Sequence, residues 1–484
     1  MAPATLVPTL SRPLNAVATL PVEATLLPDA SSACPMTAGQ PITGYRVTAN
    51  LNYTQRAAMI RQDIRYINRS NDSLSQLVLV VDPNQWPRAF RLLSAEAGAT
   101  PLGYELTGRQ LTVDLPETLE PGCEVDLTLD FQLNVPEIGQ GITAYRGFLG
   151  HSPRQLNLGN WLPMIVPHLD GGWVLHDAVL VGEQIVLDVA DWDVTLNVSG
   201  APETLEVAGP GEVEQLGAHS WHFTFSKARD FTVSLSDEFR ITHQDTADGI
   251  RVELYSFDDA QVKTETGDPV DGAAHALDTA VKSVAMYEDL YGPYPHSRLA
   301  VVEGDFPDGM EFSGLVFVSR DWFTRYTGNP AAFLTVITAH EVSHQWWYAT
   351  VGSDQALTPW LDEALATYSE YAFIEEYYPD LKSWWWDWRV DNYSPQGFVD
   401  STVYQFSSIR DYINAIYLLG ARMLQDLRTD LGTERFFDLL RHYYEAGAGR
   451  VVSPEIFWSL LSPDELAATQ ATRKRFLRQP TFGS

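Results

Sequence analysis

The hydrophobic period of this 484-residue chain switches near residue 272, and that switch limits the fold more than any other feature. From Tyr45 to Phe239, apolar and polar residues alternate in short runs such as "YRVTANLNY", "LVLVVDP", "EVDLTLDFQLNV", "VTLNVSG" and "HFTFS". Val, Leu and Thr dominate these runs, and Gly, Pro, Asn and Asp separate them. Antiparallel strands of a sandwich-like domain are therefore predicted. After the polar stretch "DDAQVKTETGDPVDGA" the period becomes helical. Helices are predicted over "GAAHALDTAVKSVAMYEDLYG", "NPAAFLTVITAHEVSHQWWYATVG", "PWLDEALATYSEYAFIEEYYP", "RDYINAIYLLGARMLQDLRTDLG" and "TERFFDLLRHYYEAG", with a small sheet from "RLAVVEG" and "GLVFVS". The expected fold is α+β and multidomain. A β-rich antiparallel amino-terminal domain at 43–240 precedes a mainly helical domain with a small sheet at 241–484.

Residues 1–42 are rich in Pro, Ala and Thr, with neither a charged amino-terminal region nor a continuous apolar stretch, so they read as a tether. Such a tether fits an exported protein, secreted or envelope-associated. Cys34 and Cys123 could pair and pin the tether to the first domain, or remain two thiols; spacing alone leaves both open. The formal net charge of −31, from 63 acidic against 32 basic residues, repels phosphate backbones and anionic lipid surfaces, which argues against nucleic acid and membranes as partners. No apolar run reaches the roughly 18 residues that a membrane-spanning helix needs.

The chemistry concentrates in "TVITAHEVSHQWWYA". His340 and His344 are four residues apart, so on a helix both imidazoles leave the same face and can bind one cation. Glu341, between them in sequence, is in place to reach a water on that cation. Eighteen residues separate His344 from Glu363, which lies on the next predicted helix and supplies a third ligand. Two His and one Glu leave a coordination position open, the pattern of a catalytic zinc site and not of a closed structural one.

"HEVSHQWW" together with "WLDEALATY" resembles the signature of the gluzincin zinc aminopeptidases, metallopeptidase family M1. "DGMEFSGLVFV" resembles the family's GxMEN segment, with Asp308 and Phe312 replacing its Gly and Asn. "YLLGARMLQDLRTDLGTERFF" resembles its Y-x-K-G-A-x-x-L helix, with Leu419 at the cation's place, and Asp362 stands where many relatives have Asn. The resemblance implies a thermolysin-like catalytic domain and a short, bacterial-type member without the carboxy-terminal helical domain of larger relatives. It implies one Zn2+ on His340, His344 and Glu363, with Glu341 as general base and Tyr417 as oxyanion donor. Tyr412 is the second candidate for that hydroxyl. Glu311 is implied as the anchor for a peptide's free amino terminus, with Gly309 and Met310 lining the first side-chain pocket. The expected activity is aminopeptidase cleavage of peptides that have a free amino terminus. A zinc endopeptidase, another zinc hydrolase on the same scaffold, or a binding homologue without turnover remain alternatives. The aromatic cluster "SWWWDWRV" is expected to pack between helices.

Overall fold

The computed structural model describes residue 34 and residues 42–139, 147–263 and 269–480; the tether, apart from Cys34 and Ile42, lies outside the described residues. Cys34 and Cys123 form a disulfide.

Alternation becomes strands as the period requires. Along Gly44–Asn52 the residues Tyr45, Val47, Ala49 and Leu51 face inward, and along Glu124–Asn134 Leu127, Leu129, Phe131 and Leu133 do the same. These strands belong to an eight-stranded sheet in which Gly44–Asn52 sits between Ala57–Ile67 and Ala190–Ser199. The pairing is antiparallel except between Gly44–Asn52 and Ala190–Ser199, which run parallel. Two four-stranded sheets share its apolar core; they are built around Leu74–Val80 with Gln110–Leu119, and around Leu156–Leu158 with Val233–Ser236.

The second domain opens with a five-stranded sheet in the order Arg240–Asp245, Arg251–Ser256, Arg298–Gly304, Leu315–Ser319 and Gly309–Met310. Its three central strands pair in parallel, while Gly309–Met310 forms a short antiparallel edge. Against it packs the helix Gly272–Tyr291, started by the Asp271 carboxylate accepting from the Ala274 amide at 2.9 Å. The buried Tyr287 hydroxyl of this helix bonds the carbonyls of Ala339 and Ser369, both at 3.1 Å. It thereby ties together the two helices that carry the predicted ligands.

Two predicted helices are interrupted. The motif helix runs from Phe333 to Ser343 and gives way to a π-turn over Gln345–Thr350 instead of continuing to Gly352. Tertiary bonds explain the break: Arg229 Nε takes the Tyr348 carbonyl at 2.6 Å, and Asp230 Oδ2 accepts from the Tyr348 hydroxyl at 2.6 Å. Arg229, fully buried, also reaches the carbonyls of Leu187, Thr350 and Arg450, so one side chain of the first domain fixes the exit of the motif helix. Further π-turns interrupt the aromatic cluster at Trp386–Val390 and the downstream helix at Ile413–Leu418. Within the cluster Trp385 is buried beside Tyr371, and Trp384 stacks on Trp388, which meets Phe333; it packs between helices as expected.

Candidate active site

The motif helix is buried on every face, because Leu334, Val336, Ile337, Ala339 and Val342 surround its polar residues. His340 and His344 turn their Nε2 atoms to within 3.1 Å of each other. Glu363, in the first turn of the helix Trp360–Tyr377, brings Oε2 to 3.3 Å from His340 Nε2 and 3.6 Å from His344 Nε2. The three predicted ligands therefore converge on one point.

Partners on the far side of each ring hold this convergence. His340 Nδ1 meets Glu370 Oε1 at 2.8 Å, and His344 Nδ1 meets Asp362 Oδ1 at 2.5 Å. Glu370 is gripped in turn by Arg389 through two bonds of 2.9 Å, and Asp362 accepts from Gln355 at 2.6 Å. Fixing Nδ1 in this way leaves Nε2 for a metal and sets the ring orientation.

The donor set fits a divalent cation. Glu363 Oε2 is buried and accepts no hydrogen bond, although it faces both imidazoles. Burial by itself would lower the pKa of both histidines, yet the carboxylates of Glu363 and Glu370 around His340, and of Asp362 and Glu311 around His344, raise each to about 10. Glu363 is held low against its burial by the two imidazoles and by Tyr417. The cluster is thus short of positive charge at the point where its three ligand atoms meet.

Glu341 is buried beside the triad, with Oε2 lacking a hydrogen-bond partner. Burial pushes its carboxyl up to about 8, against the pull of His340 and His344 and with help from Asp308 and Glu363. Gly309 of the edge strand presses on it: a β-carbon there would stand 2.0 Å from Glu341 Oε1. Asp308, where the family has Gly, has φ 69°, a left-handed conformation that Asp tolerates better than most residues.

Glu311 is buried with Oε1 unpartnered, and burial raises its carboxyl well above the usual range. Its segment is clamped from both domains. Gln345 bonds the Phe312 carbonyl at 3.0 Å and the Gly314 amide at 2.8 Å, while Asp230 accepts from the Ser313 amide at 3.2 Å. Tyr417 lines the metal cavity and stacks on His340, with ring centroids 5.8 Å apart and planes 4° from parallel. Tyr412 packs edge to face on Tyr417, 5.6 Å between ring centroids, but does not reach the cavity. That residue is fully buried behind the cavity, packed on Phe406 and against Gly182, and does not line the space around the ligands.

Glu183 was missed by the sequence reasoning. It comes from an irregular stretch of the first domain, yet its carboxylate, with those of Glu311 and Glu363, offers oxygens within 4.8 Å of one another. No local spacing marks it. Glu370, also missed, was findable in principle, since it lies seven residues after Glu363 and hence on the same helix face. The cavity around the ligands, about 200 Å³, adjoins a second of about 140 Å³, and Glu183 and Glu311 line both.

Residues 275–476 match the peptidase family M1 domain. Aminopeptidase M1-D of Oryza sativa subsp. japonica is 28% identical over 232 residues, covering 45% of this chain and 25% of that protein. Endoplasmic reticulum aminopeptidase 2 of Homo sapiens is 24% identical over 383 residues, covering 73% of this chain and 37% of that protein. The chain therefore spans well under half the length of these curated relatives. The crystal structure of an M1 zinc metallopeptidase from Deinococcus radiodurans superposes with a TM-score of 0.64 at 18% identity, covering 94% of this chain and 97% of that one, so the two share a fold.

Proposed function

We propose that this chain, whose residues 275–476 match the peptidase family M1 domain, is a zinc-dependent aminopeptidase of that family, with one ion on His340, His344 and Glu363. The observation that carries this reading is the carboxylate pair of Glu183 and Glu311 beside the ligand Glu363. Two carboxylates at that distance bind a peptide's α-ammonium and register the scissile bond one residue away, at the ligands. A zinc ion bound by His340, His344 and Glu363 would supply Lewis-acid polarisation of the carbonyl and acidify a water.

The chain's own residues do the rest. Glu341, buried and with a raised proton affinity, accepts the proton of the attacking water and returns it to the leaving amine. Tyr417, stacked on His340 at the cavity wall, donates its phenolic hydrogen to the developing oxyanion. The 140 Å³ side cavity receives the first side chain. Trp86, Phe148, Met310 and Tyr348 wall it on one side, and Asp82, Arg109, Asn160 and Gln355 also line it, so it offers a large side chain both apolar faces and polar partners.

A panel of aminoacyl arylamides tests the reading. Hydrolysis is expected to favour large amino acids over small ones, to disappear on chelation and to return with zinc in a one-to-one ratio. Zinc-loaded protein that cleaves none of the panel would sink the proposal.

The disulfide between Cys34 and Cys123 supports an extracytoplasmic location, because such bridges persist in oxidising compartments. Protein isolated from its host and denatured without reductant is expected to show no free thiol; two titratable thiols per chain would argue for the cytoplasm.

A further inference from the structure

The metal cavity carries one guanidinium that the aminopeptidase reading does not use. Its lining acids are Glu183, Asp308, Glu311, Glu341 and Glu363, and its other cations are engaged: His340 and His344 with the carboxylates behind them, Arg389 with Glu370. Arg410 is exposed, lines the same cavity, and forms no ion pair among the described residues. Its guanidinium rests over the Tyr393 ring, 4.4 Å from the centroid. A guanidinium over an aromatic face can still offer its N–H edges to a planar, bidentate acceptor.

The position of Arg410 gives the acceptor a direction. Glu183 and Glu311 line both cavities, whereas Arg410 and Tyr393 line only the one that holds the ligands. The guanidinium therefore belongs with the part of the substrate beyond the scissile bond and not with the first side chain. In a chain of net charge −31 and a cavity whose other cations already face carboxylates, an arginine with no ion pair among the described residues is the feature that can offset a substrate's negative charge.

We propose that Arg410 recognises a peptide carboxylate downstream of the cleaved bond, either the terminal carboxylate of a short peptide or an acidic side chain. This rests on the aminopeptidase reading above, with Glu183 and Glu311 holding the opposite end of the peptide. Arg410 is a specificity determinant that acts on the leaving portion.

The experiment compares kcat/KM for three peptides sharing an amino-terminal Leu: Leu-Ala-Ala with a free carboxylate, its carboxy-terminal amide, and the amide of Leu-Ala-Glu. Leucine arylamide is measured alongside. The wild type is expected to prefer the free acid over its amide by roughly tenfold, the range for an exposed charge-assisted bond. In Arg410→Gln the ratio falls to about one, and in Arg410→Glu it inverts. If the Glu-containing amide matches the free acid, either carboxylate serves; if it alone is preferred, the acidic side chain is the ligand, and both results support the proposal. Equal rates on acid and both amides by a wild type that cleaves the arylamide would overturn it. Failure of zinc-loaded wild type on the arylamide would instead overturn the aminopeptidase reading.

Discussion

Replacing Glu341 by Gln is expected to lower kcat for aminoacyl arylamides by about 10²- to 10⁴-fold while the protein still binds zinc. The amide keeps the shape of the side chain, so it fits beneath Gly309, where there is no room for a larger neighbour. It cannot accept the proton of the attacking water. His340, His344 and Glu363 converge without help from Glu341, because Glu370 and Asp362 hold the two rings from behind. Metal content should therefore stay at the wild-type level by elemental analysis. A variant that kept its turnover would remove Glu341 from the chemistry, and one that lost its metal would make the residue a structural support.

The second large effect concerns the amine end of the substrate. Glu311→Ala is expected to reduce kcat/KM on arylamides by roughly 10²-fold, since it removes a buried carboxylate from a charge-assisted pair with the ammonium. Glu183 remains to bind part of the charge, so a residual rate is expected. The same physics predicts that acetylating a peptide's amino terminus abolishes cleavage by the wild type, because the neutral amide leaves two carboxylates without their cation. Cleavage of free and acetylated peptide at equal rates would make the enzyme an endopeptidase and would leave Glu311 without the role of anchor.

Much of this site is legible in the chain because its chemistry is local. His340 and Glu341 lie in the last turns of one helix, His344 caps it, and Glu363 lies in the first turn of the next long helix, so short-range spacing brings four side chains close. The residues that steady them are harder to read. Asp362 could be noted only as an unusual neighbour of Glu363, and its contact with His344 depends on the ring orientation fixed after folding. Tyr412 and Tyr417 look equivalent in sequence, five residues apart in an aromatic helix. In the fold their rings meet edge to face, 5.6 Å between centroids, yet Tyr417 lines the cavity and Tyr412 is buried.

The switch of hydrophobic period, the order of a β-rich and a helical part, and the close spacing of His340, Glu341, His344 and Glu363 were determined by the sequence itself, because periodicity and short-range spacing act within or between neighbouring elements. Contacts between domains were decided only by the tertiary structure. Arg229 and Asp230 leave the first domain to end the motif helix and clamp the Glu311 segment, and Glu183 crosses from the same domain to complete the carboxylate pair. Arg410 meets the metal cavity through the fold of the last helices. Such placements depend on how two cores pack against each other, and no period along the chain records that geometry.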